Sequence, residues 1–130
     1  MKGGYSLEIL SAAQRELEEI GRLHMELVGP KSARNITERI YTALENLCIF
    51  PRLGVALEDK GLRESGYRKL ICGNYLCIYR LIGSTIFVYH IADGRSDYKI
   101  IFKSLQNQHL RSIDSKLDAS SKMVDDPNVE

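Results

Sequence analysis

The side chains with acid–base or anion-binding chemistry crowd into one stretch of this chain. They are Tyr67-Arg68-Lys69, Tyr75, Tyr79-Arg80 and the run His90-Ile91-Ala92-Asp93-Gly94-Arg95-Ser96-Asp97-Tyr98. Imidazole, guanidinium and phenol groups on neighbouring strands are the groups required to cut RNA without a metal. A base takes the 2′-hydroxyl proton, an acid protonates the leaving 5′-oxygen, and arginine neutralises the phosphorane. Tyrosine rings can also stack on unpaired bases. The same residues serve structure equally well, since tyrosine packs readily on half-buried strand faces. On the residues alone both readings stay open.

Other chemistries find less support. Gly73-Asn74, Gly83-Ser84 and Gly94 read as turn residues, and none belongs to a phosphate-cradling loop with its following lysine. We expect no nucleotide, no metal and no other cofactor. Cys48, Cys72 and Cys77 are three in number. Cys72 and Cys77 sit in an apolar stretch without companions at zinc-finger spacing, so they read as buried thiols of a reducing compartment. No apolar run approaches the ~20 residues that span a bilayer, and Met1 to Ser6 holds no hydrophobic signal region. The expectation is a cytoplasmic protein without membrane contact. The net charge of +1 excludes a strong global field towards nucleic acid. The balance is uneven: residues 1–105 hold 15 basic and 12 acidic side chains, residues 106–130 hold 3 and 5.

The elements that must position these groups follow from periodicity. Tyr5 to Leu10 reads as a strand, and Ser11 as the N-cap of a helix with Leu17, Ile20, Leu23, His24 and Leu27 on one stripe. Gly29-Pro30 stops it. A second helix, about Ser32 to Ile49, turns Ala33, Ile36, Ile40, Ala43, Leu44 and Leu47 to one side. So short a break makes the two an antiparallel hairpin. After Phe50-Pro51-Arg52-Leu53-Gly54 the chain reads as irregular up to Gly66. Tyr67 to Cys72, Tyr75 to Ile82 and Thr85 to Ile91 then form strands joined by tight turns, an antiparallel meander. The fold class is α+β in the order β-α-α-β-β-β, with the sheet packed on the helical hairpin. Phe102, Leu105, His109, Ile113 and Leu117 mark a C-terminal helix. In domain terms we read 1–105 as one domain, 106–118 as that helix and 119–130 as a polar, flexible tail.

This order of elements resembles the RelE/ParE superfamily of type II toxins over about residues 5–103. The resemblance rests on Gly29-Pro30 with Ala33 opening the second helix, and on Leu47…Phe50-Pro51…Gly54 closing it. It continues in Tyr67-Arg68-Lys69-Leu70, Asn74-Tyr75…Tyr79-Arg80 and Gly94-Arg95-Ser96-Asp97-Tyr98. No one motif is specific; their order and spacing together carry the likeness. The Phe-Pro…Gly turn and the Gly-Arg-x-Asp-Tyr ending are most similar to the ParE-like branch.

The resemblance implies a toxin held by a cognate antitoxin, in a toxin–antitoxin hetero-oligomer, with an extended or helical antitoxin segment wrapping hairpin and sheet. It offers two targets, DNA gyrase for a ParE-like inhibitor and ribosome-bound mRNA for a RelE-like endoribonuclease. A member that has lost toxicity and only binds its partner is a third alternative. For the nuclease, the implied catalytic residues are Arg68, Arg95 and Tyr98, with His90 as a further acid–base candidate. Asp97 would orient Arg95 or cap a following helix. Two departures count against it: Leu70 and Leu76 stand where a lysine and a phosphate-binding arginine would be expected. Alternation puts Arg68, Leu70 and Cys72 on one face, Leu76 and Ile78 on one face of the next strand, and Ile86, Val88 and His90 in one row. If Leu70 and Leu76 share a side, the expected active surface is apolar, with Leu105, Ile113 and Leu117 as its cover. That arrangement favours the ParE-like inhibitor.

Overall fold

The computed structural model describes residues 4–95 and 103–107. By its contacts the chain divides into two units, Met1–Tyr98 and Lys99–Glu130. Strand β1 (Ser6–Ile9) leads into α1 (Ser11–Leu27) and α2 (Pro30–Leu47). A two-residue strand β2 (Val55–Ala56) and a short helix α3 (Lys60–Glu64) follow, then β3 (Tyr67–Cys72), β4 (Tyr75–Ile82) and β5 (Thr85–Asp93). The α+β class, the helical hairpin and the β3-β4-β5 meander stand as expected. In the second unit, residues 103–107 are helical and Leu105 is buried. Ile113, Leu117 and the expected tail lie outside the described residues.

The sheet is mixed, in the order β1-β5-β4-β3-β2, with β1 parallel to β5. The helical hairpin carries the chain from β1 at one edge to β2 at the other, and the meander β3-β4-β5 brings it back to lie parallel beside β1. Around Val55 the irregular stretch pairs with β3 through Val55↔Lys69 and Ala56↔Arg68. So short a pairing leaves no alternating pattern to read. Asp59 opens α3 by accepting from Leu62 N at 3.0 Å.

Ser11 does not cap α1. The cap position is Leu10, which makes no side-chain hydrogen bond, and Ser11 is already helical. Pro30 starts α2 rather than merely stopping α1, because the first helical position needs no N–H. The apolar stripe of α2 is buried as expected at Ala33, Ile36, Ile40, Leu44 and Leu47. On α1 the stripe divides. Ala13, Leu17 and Ile20 are buried, but Leu23 and Leu27 are exposed, Leu27 at 74%. His24 is the residue that still reaches the sheet there, with Nε2 3.1 Å from the Tyr75 hydroxyl and Nδ1 3.0 Å from Ser32 Oγ.

The core joins Leu17, Ile20, Ile36, Ile40, Leu44 and Leu47 of the hairpin to Leu70, Cys72, Tyr75, Cys77, Tyr79, Ile86, Val88 and Ile91 of the sheet. Register therefore corrects the expectation about Leu70 and Leu76. Leu70 pairs with Cys77 and faces the hairpin, so Leu76 and Ile78 take the opposite face with Ile71 and Lys69. The two leucines do not build one apolar surface. A bulge corrects the β5 row as well. Ile78 pairs with His90 while Tyr79 pairs with Val88, leaving Tyr89 as the extra residue. A bulge inverts the alternation beyond it. Ile91, not His90, continues the core row of Ile86 and Val88.

Candidate functional site

Three of the four expected catalytic residues lie within the described chain, and the fold sends them to three places. Arg68, the second residue of β3, lies opposite Tyr79 and donates through Nη1 to the Gly54 carbonyl at 2.5 Å. His90 is buried at the bulge, with Nδ1 3.1 Å from the Glu16 carboxylate of α1. Arg95 follows β5 and is exposed. It holds Asp93 with Nε at 3.2 Å and Nη2 at 3.0 Å, and its backbone N–H donates to the same carboxylate at 2.8 Å. Hydrogen bonding to Asp93, then its charge, pushes the Arg95 guanidinium further up. Arg68 and Arg95 stand at opposite ends of the β3–β4 ladder, by Tyr79 and Tyr75 respectively. Four residues of strand separate those ends, about 13 Å at ~3.3 Å each. Tyr98 and Asp97 lie outside the described residues; the carboxylate that orients Arg95 is Asp93.

Glu16, Asp93 and Gly54 are the partners that spacing did not reveal. Strand β1 ends at Ile9, opposite Val88, so β5 runs on without that neighbour. Glu16 takes the place of a strand there, accepting from the Ile91 N–H at 2.9 Å while it meets His90. A contact between residues 75 apart in sequence leaves no local signal.

The best-built polar node is the one Arg68 joins, behind the loop between α2 and β2. Tyr79 is fully buried. Its hydroxyl donates to the Pro51 carbonyl at 2.7 Å and accepts from Gly54 N–H at 3.0 Å. Arg68 holds the Gly54 carbonyl from the same side. Burial raises the Tyr79 phenol, while the Gly54 N–H and the Arg68 charge pull the other way. Gly54 is required by space. A Cβ there would lie 2.5 Å from the Lys69 carbonyl oxygen and 2.8 Å from Tyr79 Cε1. A turn closed by Leu53 N–H to the Phe50 carbonyl, 3.0 Å, sets the loop's outer side. That side carries Phe50 at 61%, Leu53 at 50% and Val55 at 56% exposure.

On the other face of the sheet the Arg80 guanidinium lies 4.6 Å from the Tyr67 ring centre and 5.5 Å from that of Tyr89. It also donates to the Tyr89 hydroxyl at 2.8 Å and to the Ser65 carbonyl at 3.3 Å. Such a stacked, hydrogen-bonded arginine joins α3 to the sheet. A groove of about 640 Å³ runs between the start of β1 and the end of α2, past Tyr5, Leu7, Glu45, Cys48 and Ile49. Burial, then the Glu45 charge, raises the Cys48 thiol. Among the described residues no three His, Cys, Asp or Glu side chains converge as metal ligands, and no helix is long and apolar enough to cross a membrane.

A family model described as the ParE toxin of the type II toxin–antitoxin system parDE matches residues 7–98. No curated protein matches the chain. Among solved structures, a chain of the chromosomal ParDE system from P. aeruginosa is similar with a TM-score of 0.59 at 21% identity. The match covers 69% of this chain and 96% of that one. A chain of the RelBE2 toxin–antitoxin complex from Mycobacterium tuberculosis gives a TM-score of 0.49 at 17% identity, covering 72% and 94%. At 21% identity the likeness to the ParDE chain is one of fold.

Proposed function

We propose, from the premise that this chain belongs to the ParE toxin family of type II toxin–antitoxin systems, that it arrests growth by gripping an essential protein, DNA gyrase, rather than by cutting RNA. The observation that carries this reading is the dispersal of the acid–base groups. Arg68 is spent on the Gly54 carbonyl, His90 meets Glu16, and Arg95 is closed on Asp93. Metal-independent cleavage needs a base, an acid and a phosphate-binding cation around one phosphodiester. Among the described residues these three do not surround a common point.

The partner in the resting state is a cognate antitoxin, in keeping with the family match and with the similar chain of the ParDE system. Leu23, Leu27 and Val28 at the tip of the hairpin are exposed and apolar. They offer an amphipathic antitoxin segment a place to fold on binding, in a toxin–antitoxin hetero-oligomer. Three free thiols suit a reducing cytoplasm.

One observation favours the endoribonuclease as a second reading. A carboxylate on Nδ1 is the arrangement that orients an imidazole for proton transfer at Nε2. Induced expression separates the two. DNA-damage signalling and altered supercoiling with intact transcripts is the expected result. Rapid cleavage within codons, abolished by Arg95→Ala or His90→Ala in a folded protein, would replace the inhibitor with the nuclease. No growth defect at all would leave a member that only binds its partner.

A further inference from the structure

The loop from Phe50 to Val55 spends buried polar groups on holding apolar side chains in water. Ordinarily a loop with exposed phenylalanine, leucine and valine would relax and bury some of that surface. Here it cannot relax freely. The Tyr79 hydroxyl grips it at Pro51 and Gly54, Arg68 grips it at the Gly54 carbonyl, and the 2.5 Å approach of Lys69 to any Cβ at Gly54 fixes how closely it lies on the sheet. The turn from Phe50 to Leu53 holds the Cα atoms of those two residues within ~7 Å of each other. Val55 lies two residues further on, where β2 begins. From Asn46 to Leu57 the one charged side chain is Arg52, and Lys69 stands opposite Val55 in the β2–β3 register. The result is a rigid apolar knob with a basic border.

From this geometry we infer that Phe50, Leu53 and Val55 form the surface with which this chain grips its target, inserting into an apolar pocket with an acidic rim on a folded protein. Its three apolar side chains are each at least half exposed, so the complement that takes them out of water is an apolar pocket. Its border is basic, so the rim that pairs with it is acidic. A loop fixed before binding loses little conformational freedom on docking, and aromatic anchors in such positions carry most of an interface's affinity. The inference rests on the reading of the chain as a toxin that binds an essential protein, and names the contact surface for it.

The test is viable count after induced expression of the full chain, with thermal unfolding of each purified variant as the check on folding. Phe50→Asp and Leu53→Asp each relieve growth arrest without shifting the unfolding midpoint, because hot-spot loss weakens binding roughly 30-fold or more. Arg52→Glu relieves arrest and Arg52→Lys does not. Tyr41→Asp, a comparable change at an exposed position on α2 outside the knob, leaves arrest intact. Folded Phe50→Asp and Phe50→Ala variants as toxic as the unaltered chain would overturn the inference while leaving the toxin reading in place. Sedimentation showing a dimer that Phe50→Asp dissociates would reassign the knob to self-association. An unaltered chain that does not arrest growth would remove the toxin reading and this inference together.

Discussion

Tyr79→Phe removes one oxygen atom and leaves the packing of the ring unchanged. That oxygen donates to Pro51 at 2.7 Å and accepts from Gly54 at 3.0 Å. The two partners differ in what happens next. Pro51 is only half-buried, so its carbonyl can take a water and the loss there is one net hydrogen bond, about 0.5–1.5 kcal/mol. Gly54 is buried, so its N–H loses its partner and has no solvent to replace it, at about 1–3 kcal/mol. Together the change costs about 1.5–4.5 kcal/mol. At about 4 °C per kcal/mol for a domain of this size, the unfolding midpoint falls by roughly 6–18 °C. Thermal unfolding by circular dichroism measures the shift, and amide exchange at Gly54 reports whether the loop has loosened. A midpoint within about 2 °C of the unaltered chain, with Gly54 exchange unchanged, would refute the account of Tyr79 as the clamp behind the loop.

Gly54→Ala is expected to cost more, above about 3 kcal/mol in urea unfolding, because the Cβ meets backbone oxygen rather than a movable side-chain end; an unchanged urea midpoint would show that the loop has room. Glu16→Ala should lose about 1–3 kcal/mol by orphaning the Ile91 N–H, and Glu16→Gln clearly less, since the amide oxygen can still accept. Equal losses would mean that the carboxylate charge beside His90, not the strand-edge bond, is what matters. Stability should also fall in alkali. Burial, then the charge of Cys72, pushes the Cys77 thiol from 9.0 to about 12, so between those values the unfolded thiol has lost its proton while the folded one keeps it. Stability is complete below pH 9 and declines as pH rises towards 12, by at most about 1.4 kcal/mol per pH unit from this group. Burial raises Tyr75 and Tyr79 above 10.0 and adds to the decline in the same direction. Urea midpoints from pH 8 to 11 test this, and Cys77→Ala should flatten the first part of the slope.

Much of the architecture was legible in the amino-acid order, because its signals are local. The period of the α2 stripe, the Gly73-Asn74 and Gly83-Ser84 turns and the break at Gly29-Pro30 each act within a few residues. They are enough for a hairpin, a meander and the α+β class. The family likeness was legible for the same reason, being spread over motifs in a fixed order. What each side chain faces is a different kind of fact. One position of register moves a residue to the other side of a sheet, so Arg68 went to the hairpin side with Leu70, while Lys69, Leu76 and Ile78 took the other. One bulge beside Ile78 moved His90 out of the core row and put Ile91 in.

The site divides along the same line. Residue types alone determined which groups could do chemistry: Arg68, His90 and Arg95 are the right kinds of side chain, with Tyr98 outside the described residues. Only tertiary structure decided what they do with that chemistry, because their partners come from other elements or from a competing neighbour. Gly54 lies before a strand that pairs for two residues, Glu16 lies on a helix 74 residues from His90, and Asp93 reaches Arg95 from within β5. A hydrogen bond acts over about 3 Å, and proximity at that scale between distant parts of a chain exists only after the core has closed.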